Sequence, residues 1–78
     1  MTDADIFEII RKALSSTREV TADDSVDTLP QWDSLGQLAI LVALDKKLNG
    51  KAAGIKKLAS CQSIRALIHT LRENNLLK

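Results

Sequence analysis

Apolar residues recur at intervals of three and four positions along most of this chain, the spacing that places them on one face of an α-helix. In residues 4–16 the pattern follows an acidic start, which suits the positive end of a helix dipole. In residues 61–74 it follows Ser60, a good N-cap residue, with Ala59 placed to pack against Ile64 across the cap. The pattern therefore predicts an amphipathic helix near each end of the chain.

A further helix is predicted from Ser34 to about Leu48, where Asn49-Gly50 is a typical stop signal. Its apolar residues form two stripes. One stripe contains Ile40, Leu41, Leu44 and Leu48, with Gln37 among them. The other, on a different side of the helix, contains Leu35, Leu38 and Val42. Because a surface helix of a small domain needs one stripe for its core, the second predicts either further burial or a surface for a partner, and we favour the partner.

The segment between the first two helices, residues 17–33, shows little periodicity and predicts a long loop. Such loops often pack through their own apolar side chains, and the anchors available here are Val20, Val26, Leu29 and Trp32. The aspartates Asp23, Asp24 and Asp27 lack the glycine and glutamate of an EF-hand loop, so we expect solvated charges.

These elements predict an all-α fold, a four-helix bundle with three longer helices, one short helix around residues 55–58, and a long loop between helices 1 and 2. No segment alternates apolar and polar residues as a half-buried strand would. Seventy-eight residues provide for one small core, so we expect residues 1–78 to form a single domain.

Composition narrows the class of protein. The chain is 45% hydrophobic and 27% charged, as soluble globular proteins are. Its longest apolar run, residues 38–44, is too short for a membrane span, and its acidic N-terminus is unlike a signal peptide. The single cysteine, Cys61, excludes an internal disulfide and is expected to be a small buried residue. We therefore expect a cytoplasmic protein.

The net charge of +1 conceals a strong asymmetry. Residues 1–45 carry a net charge of −6, and residues 46–78 carry +7. Such a bipolar surface can orient a charged partner. Nucleic acid is not the partner we expect, because the lysines are spread over a helix end, a loop and a turn without aromatic residues to stack on bases.

Candidate chemistry centres on Ser34. Its spacing from Gln37 fits a capping box, so the residues alone indicate a helix N-cap. The same position suits a phosphodiester on the hydroxyl, since a helix N-terminus offers free N–H groups and a positive dipole end. No catalytic residues and no metal site are predicted, because the segment around Ser34 is not a G-x-S-x-G elbow and His69 is the only histidine.

The segment Asp33-Ser34-Leu35, at the start of the second helix, resembles the signature of the acyl carrier protein family. The likeness continues through residues 36–44 and reappears at residues 58–64, where the family begins its last helix. The resemblance implies a 4′-phosphopantetheine arm on Ser34, attached by a phosphopantetheinyl transferase from coenzyme A. It further implies a monomer, not itself an enzyme, that carries thioesters between acyl-loading and acyl-transfer enzymes.

The resemblance also implies roles for individual residues. Ser34 would carry the phosphopantetheine arm, and Asp33 and Leu35 on either side of it would be cofactor-binding residues as well. The docking residues for partner enzymes would be Leu35, Leu38, Val42 and Asp45. The acyl-pocket core would be Ile40, Leu44 and Leu48.

The chain departs from members that serve fatty-acid synthesis, whose second helix is strongly acidic. Gly36, Ala39, Lys46 and Lys47 stand at positions expected on the surface, where those members carry acids. We therefore expect a specialised pathway of lipid or polyketide biosynthesis. Two alternatives stay open: an aminoacyl or peptidyl carrier, and a helical protein-interaction domain with an unmodified Ser34.

Overall fold

The regular structure of the protein consists of α-helices and short 3₁₀ segments. The computed structural model describes residues 2–77, except for the Ala53 side chain. The helices are α1 (Asp3–Ala13), α2 (Ser34–Lys47) and α3 (Ile64–Glu73). Two 3₁₀ segments, Ala52–Gly54 and Lys56–Ser60, lie between α2 and α3. The described residues form no β-strand, which confirms the all-α class, and none of their helices has the length and apolar character needed to cross a bilayer.

The short helix expected around residues 55–58 is not an α-helix. The chain forms its two 3₁₀ segments there, separated by Ile55 in an extended conformation (φ −101°, ψ 94°). Segments of three and five residues are too short to repay α-helix nucleation, whereas 3₁₀ turns form in such short pieces. The count of four helices is therefore not confirmed: the described residues contain three α-helices and a 3₁₀ link.

Helix ends differ from the predicted ones where the backbone leaves the helical region. α1 ends at Ala13 rather than at residue 16, because Ser15 takes a left-handed conformation (φ 52°). α2 matches its predicted span to within one residue. It ends where predicted because Asn49 and Gly50 both have positive φ, and glycine adopts that conformation at little cost.

The predicted N-cap of the last helix is wrong. Ser63 caps α3, its hydroxyl accepting a hydrogen bond from the Ala66 amide at 3.1 Å. Ser60 belongs instead to the second 3₁₀ segment, and its hydroxyl donates to the Lys57 carbonyl at 3.0 Å. Helix cannot extend back to residue 61 because Ser63 pairs with Ser25 of the long loop in an isolated antiparallel bridge.

One apolar cluster joins the three helices to the long loop. Its fully buried members include Ile6, Ile10, Leu29, Ile40, Leu44, Leu58, Ile64, Leu67 and Leu71. The predicted anchors of the loop are confirmed, since Val20, Leu29 and Trp32 are buried and Val26 packs partly buried against the cluster. The loop thus packs through its own side chains, although it contains no helix.

Asp24 organises this loop, which corrects the expectation of a solvated charge. Its buried carboxylate accepts hydrogen bonds from the Arg18 guanidinium (2.8 and 3.2 Å), the Thr21 amide (2.8 Å) and the Thr28 hydroxyl (2.8 Å). These bonds, that from Arg18 foremost, hold the pKa of Asp24 far below its usual range. Asp23 and Asp27 are exposed, as expected.

Gly36 is buried, so its expected surface position is also wrong. A Cβ atom there would lie 2.1 Å from the carbonyl oxygen of Gln31 and 2.8 Å from Cδ2 of Leu14. The first turn of α2 therefore packs directly against the end of the long loop and the end of α1. A side chain at this position would push the loop away from the helix.

We expect Asp24→Asn to lower the free energy of unfolding by about 2 kcal/mol at neutral pH, because charged hydrogen bonds to Arg18 are lost. Folding lowers the pKa of Asp24 below its ordinary value of 3.8, so its contribution is complete above that pH and declines as the pH falls further. Urea unfolding followed by Trp32 fluorescence at a series of pH values measures both effects. Asp27→Asn is the matched control and should leave stability and its pH dependence unchanged; equal losses for both variants would contradict the role of Asp24.

Gly36→Ala should destabilise the protein by about 2 kcal/mol, since the clash with the Gln31 carbonyl forces backbone to move. This cost exceeds the helix propensity that alanine gains over glycine, about 1 kcal/mol. Gly54→Ala is the control, because no atom beyond its own chain neighbours lies within 4 Å of its added Cβ. Urea midpoints compare the two, and a Gly36→Ala variant as stable as the parent would show that the loop does not need this close approach.

Candidate functional site

Ser34 is the first residue of α2 and its side chain is exposed. The helix is capped by Asp33, whose carboxylate accepts a hydrogen bond from the Gly36 amide at 2.9 Å. Asp33 has the extended backbone that an N-cap requires (φ −103°, ψ −162°), whereas Ser34 is already helical. The predicted cap at Ser34 and its capping box with Gln37 are therefore wrong. The Ser34 hydroxyl has no part in capping.

Gln37 serves instead to connect three parts of the structure beside Ser34. Its side-chain oxygen accepts a hydrogen bond from the Trp32 indole N–H at 2.5 Å. Its side-chain nitrogen donates to the carbonyl oxygens of Leu58 and Ala59, both at 3.1 Å. The end of the long loop, α2 and the second 3₁₀ segment are thereby held together. Ser34 therefore lies at the start of a helix whose position is held by the hydrogen bonds of Gln37.

An open groove of about 460 Å³ lies beside Ser34. The residues lining it with Ser34 are Val26, Trp32, Asp33, Gln37, Ala59, Cys61 and Gln62. Its walls come from the loop, α2 and the segment that leads into α3, so no single stretch of sequence predicts it.

Cys61, which also lines that groove, is buried as predicted. Its sulfur lies 3.3 Å from the Lys57 carbonyl oxygen and 3.6 Å from the Thr70 hydroxyl. It precedes α3 rather than lying within it. Among residues 2–77, no group of three or more His, Cys, Asp and Glu side chains is arranged to hold a metal ion.

The two stripes of α2 have opposite environments. Ile40, Leu44 and Leu48 lie in the core, and Leu41 is partly buried. The second stripe faces solvent, with Leu35 78% exposed, Leu38 58% and Val42 47%. Of the two outcomes left open for this stripe, further burial is excluded and exposure is observed. The apolar surface begins at the residue directly after Ser34.

A second groove, of about 550 Å³, lies between α2 and the 3₁₀ segments. Its apolar lining is Leu41, Val42, Ala52, Ile55 and Ala59, and its charged lining is Asp45, Lys46 and Lys56. Local sequence patterns do not predict this groove. Val42 and Asp45 were candidate docking residues, but the opposite wall depends on how the 3₁₀ segments pack against α2.

Comparison with known proteins gives no match to a protein-family model, to a curated protein or to a solved structure. The likeness carried by Asp33-Ser34-Leu35 therefore remains a resemblance.

Asp33→Ala should destabilise the protein by about 1 kcal/mol, the usual cost of losing an N-cap side chain. Ser34→Ala is the control and should change stability by less than about 0.5 kcal/mol, because an exposed residue outside the cap is replaced. Urea unfolding of the two variants and the parent tests this pair. The reverse order of stabilities would restore Ser34 as the cap.

Proposed function

We propose that the protein is an acyl carrier, with a 4′-phosphopantetheine arm attached to Ser34. The observation that carries the proposal is the arrangement of α2: an exposed serine, freed from capping by Asp33, stands at the start of a helix whose exposed apolar stripe begins at Leu35. A modifying enzyme needs an accessible hydroxyl, and an enzyme that uses the carrier needs a surface to dock on. Both lie on one helix.

The surroundings of Ser34 suit the proposed group. Ser34 would contribute the hydroxyl oxygen of the phosphodiester, and the positive end of the α2 dipole favours a phosphate there. Asp33 keeps the first turn of the helix in place through the Gly36 amide. The groove of about 460 Å³ beside Ser34 has polar and apolar walls against which a slender chain could rest. When bound, the group supplies a terminal thiol that holds an acyl chain as a thioester.

No catalytic residue of this chain is required, because the transferase and the acyl-handling enzymes supply their own. Leu35, Leu38 and Val42 would be the apolar contacts for those enzymes, with Asp45 at the far end. Ile40, Leu44 and Leu48 are at most 7% exposed. They would line an acyl pocket once the core opens around a bound chain. We place the carrier in the cytoplasm, as a monomer, in a specialised lipid or polyketide pathway.

A protein-interaction domain with an unmodified Ser34 is the second candidate, and the exposed stripe of α2 is the observation that favours it. An apolar surface of this kind marks a binding site whether or not a prosthetic group stands next to it. The two functions differ in what happens to Ser34, so one measurement separates them.

The test is to incubate the protein with coenzyme A and a broad-specificity phosphopantetheinyl transferase, and to measure its intact mass. We expect the addition of one phosphopantetheinyl group, absent in Ser34→Ala because no acceptor hydroxyl remains. Ser60→Ala, which also removes an exposed serine, is the matched control and should be loaded like the parent. An unchanged mass, with a transferase that loads a known carrier in the same tube, would reject the carrier and leave the interaction domain.

A further inference from the structure

The surface of α2 that we assign to partners has a basic far end. The exposed stripe of Leu35, Leu38 and Val42 leads into the groove between α2 and the 3₁₀ segments, since Val42 belongs to both. Lys46 on α2 and Lys56 on the second 3₁₀ segment line this groove from its two sides. An apolar recess is thus bordered by two cations.

These two lysines are available to a partner. Both are exposed, and neither takes part in the salt bridges formed within residues 2–77. Lys51, also exposed, directly precedes Ala52 of the groove lining and adds to the positive potential, whereas Lys47 lines another groove with Asp5 and Glu8 of α1. Asp45 supplies the one carboxylate of the groove lining. The rim is therefore net positive.

We infer that this groove docks a protein surface on which an apolar side chain projects between acidic residues. The apolar side chain would fill the recess, while carboxylates on either side would meet Lys46 and Lys56. Lysine suits such a rim because its stem covers apolar surface while its ammonium group stays in water. Charge complementarity of this kind speeds association and selects the orientation of the complex.

The two ends of α2 would fix that orientation. Lys46 lies twelve residues after Ser34, about 18 Å along a helix that rises 1.5 Å per residue. The exposed Asp33 makes the Ser34 end acidic, and a phosphate there would add to it. A partner with acidic residues about 18 Å from its active site would meet the far end of α2 while reaching Ser34. This inference rests on the proposed carrier function for its partner enzyme, but not for the groove itself.

A protein fits this surface better than a lipid bilayer does. The groove is a recess between two elements of the fold, and a projecting side chain can enter it. A bilayer would meet Leu35 and Leu38 but not the residues inside the recess. Binding to anionic vesicles is therefore an outcome that opposes the inference.

The test uses two synthetic amphipathic helices with the same leucine face, one flanked by glutamates and one by lysines. Amide chemical shifts of the isotope-labelled full chain report binding and its location. We expect the glutamate peptide to bind at least about tenfold more tightly at low salt, which is about 1.4 kcal/mol, and to perturb residues of the groove. The preference should shrink as salt screens the charges.

Lys46→Glu/Lys56→Glu should abolish the preference for the glutamate peptide. Lys12→Glu/Arg65→Glu makes the same change in net charge on α1 and α3, away from the groove, and should keep it. If the reversed variant loses its native amide spectrum, Lys46→Gln/Lys56→Gln replaces it and should also lose the preference.

Three results would each overturn the inference. The first is equal affinity for both peptides, and the second is an equal loss of preference in the two charge-reversal variants. The third is binding to vesicles of phosphatidylcholine and phosphatidylglycerol without binding to the glutamate peptide. The peptide titration uses the unmodified chain, so it is independent of loading. A chain that is loaded on Ser34 but shows no peptide preference disproves this docking surface and leaves the carrier function. A chain that prefers the glutamate peptide but is never loaded on Ser34 disproves the carrier function and leaves this docking surface.

Discussion

The long loop between α1 and α2 has to bury apolar side chains without forming a helix, and the hydrogen bonds made by Asp24 hold it in shape. The Asp24 carboxylate gathers Arg18, Thr21 and Thr28 around it. Its backbone carbonyl accepts a hydrogen bond from the Ile64 amide at 3.0 Å, at the start of α3. One residue therefore shapes the loop and attaches it to the last helix. Once the loop is held, Leu29 and Trp32 can enter the core.

The start of α2 follows from this arrangement. Trp32 is buried and bonds to Gln37, and Gly36 allows the Gln31 carbonyl to approach the helix closely. These contacts set where the loop ends and which residue caps the helix. Asp33 takes that role, so Ser34 is left exposed in the first turn of the helix. The proposed attachment point is thus a consequence of how the loop packs.

Folding pairs some of the charges of the two halves of the chain and leaves others exposed beside α2. The acidic first half and the basic second half of the sequence are joined by ion pairs from α3: Arg65 to Asp23 at 2.5 Å and Arg72 to Asp3 at 2.7 Å. The two arginines of the basic half are engaged in this way. The basic character that reaches the solvent beside α2 comes from lysines, Lys46 and Lys56 among them. This is why the surface next to the apolar stripe is positive although the chain is nearly neutral.

The sequence by itself determined the all-α class, the span of α2 and the division of its apolar residues into two stripes, because helical periodicity and the Asn49-Gly50 stop are local properties. It also identified the anchors of the loop, since apolar side chains in a small domain have one core to enter. Only the tertiary structure decided the cap of α2, the start of α3, the burial of Gly36 and Asp24, and the groove bordered by Lys46 and Lys56. Each of these depends on contacts between segments far apart in the chain, such as Ser25 with Ser63. The local spacing of residues does not show which distant atoms will bond to a given polar group or line a given groove.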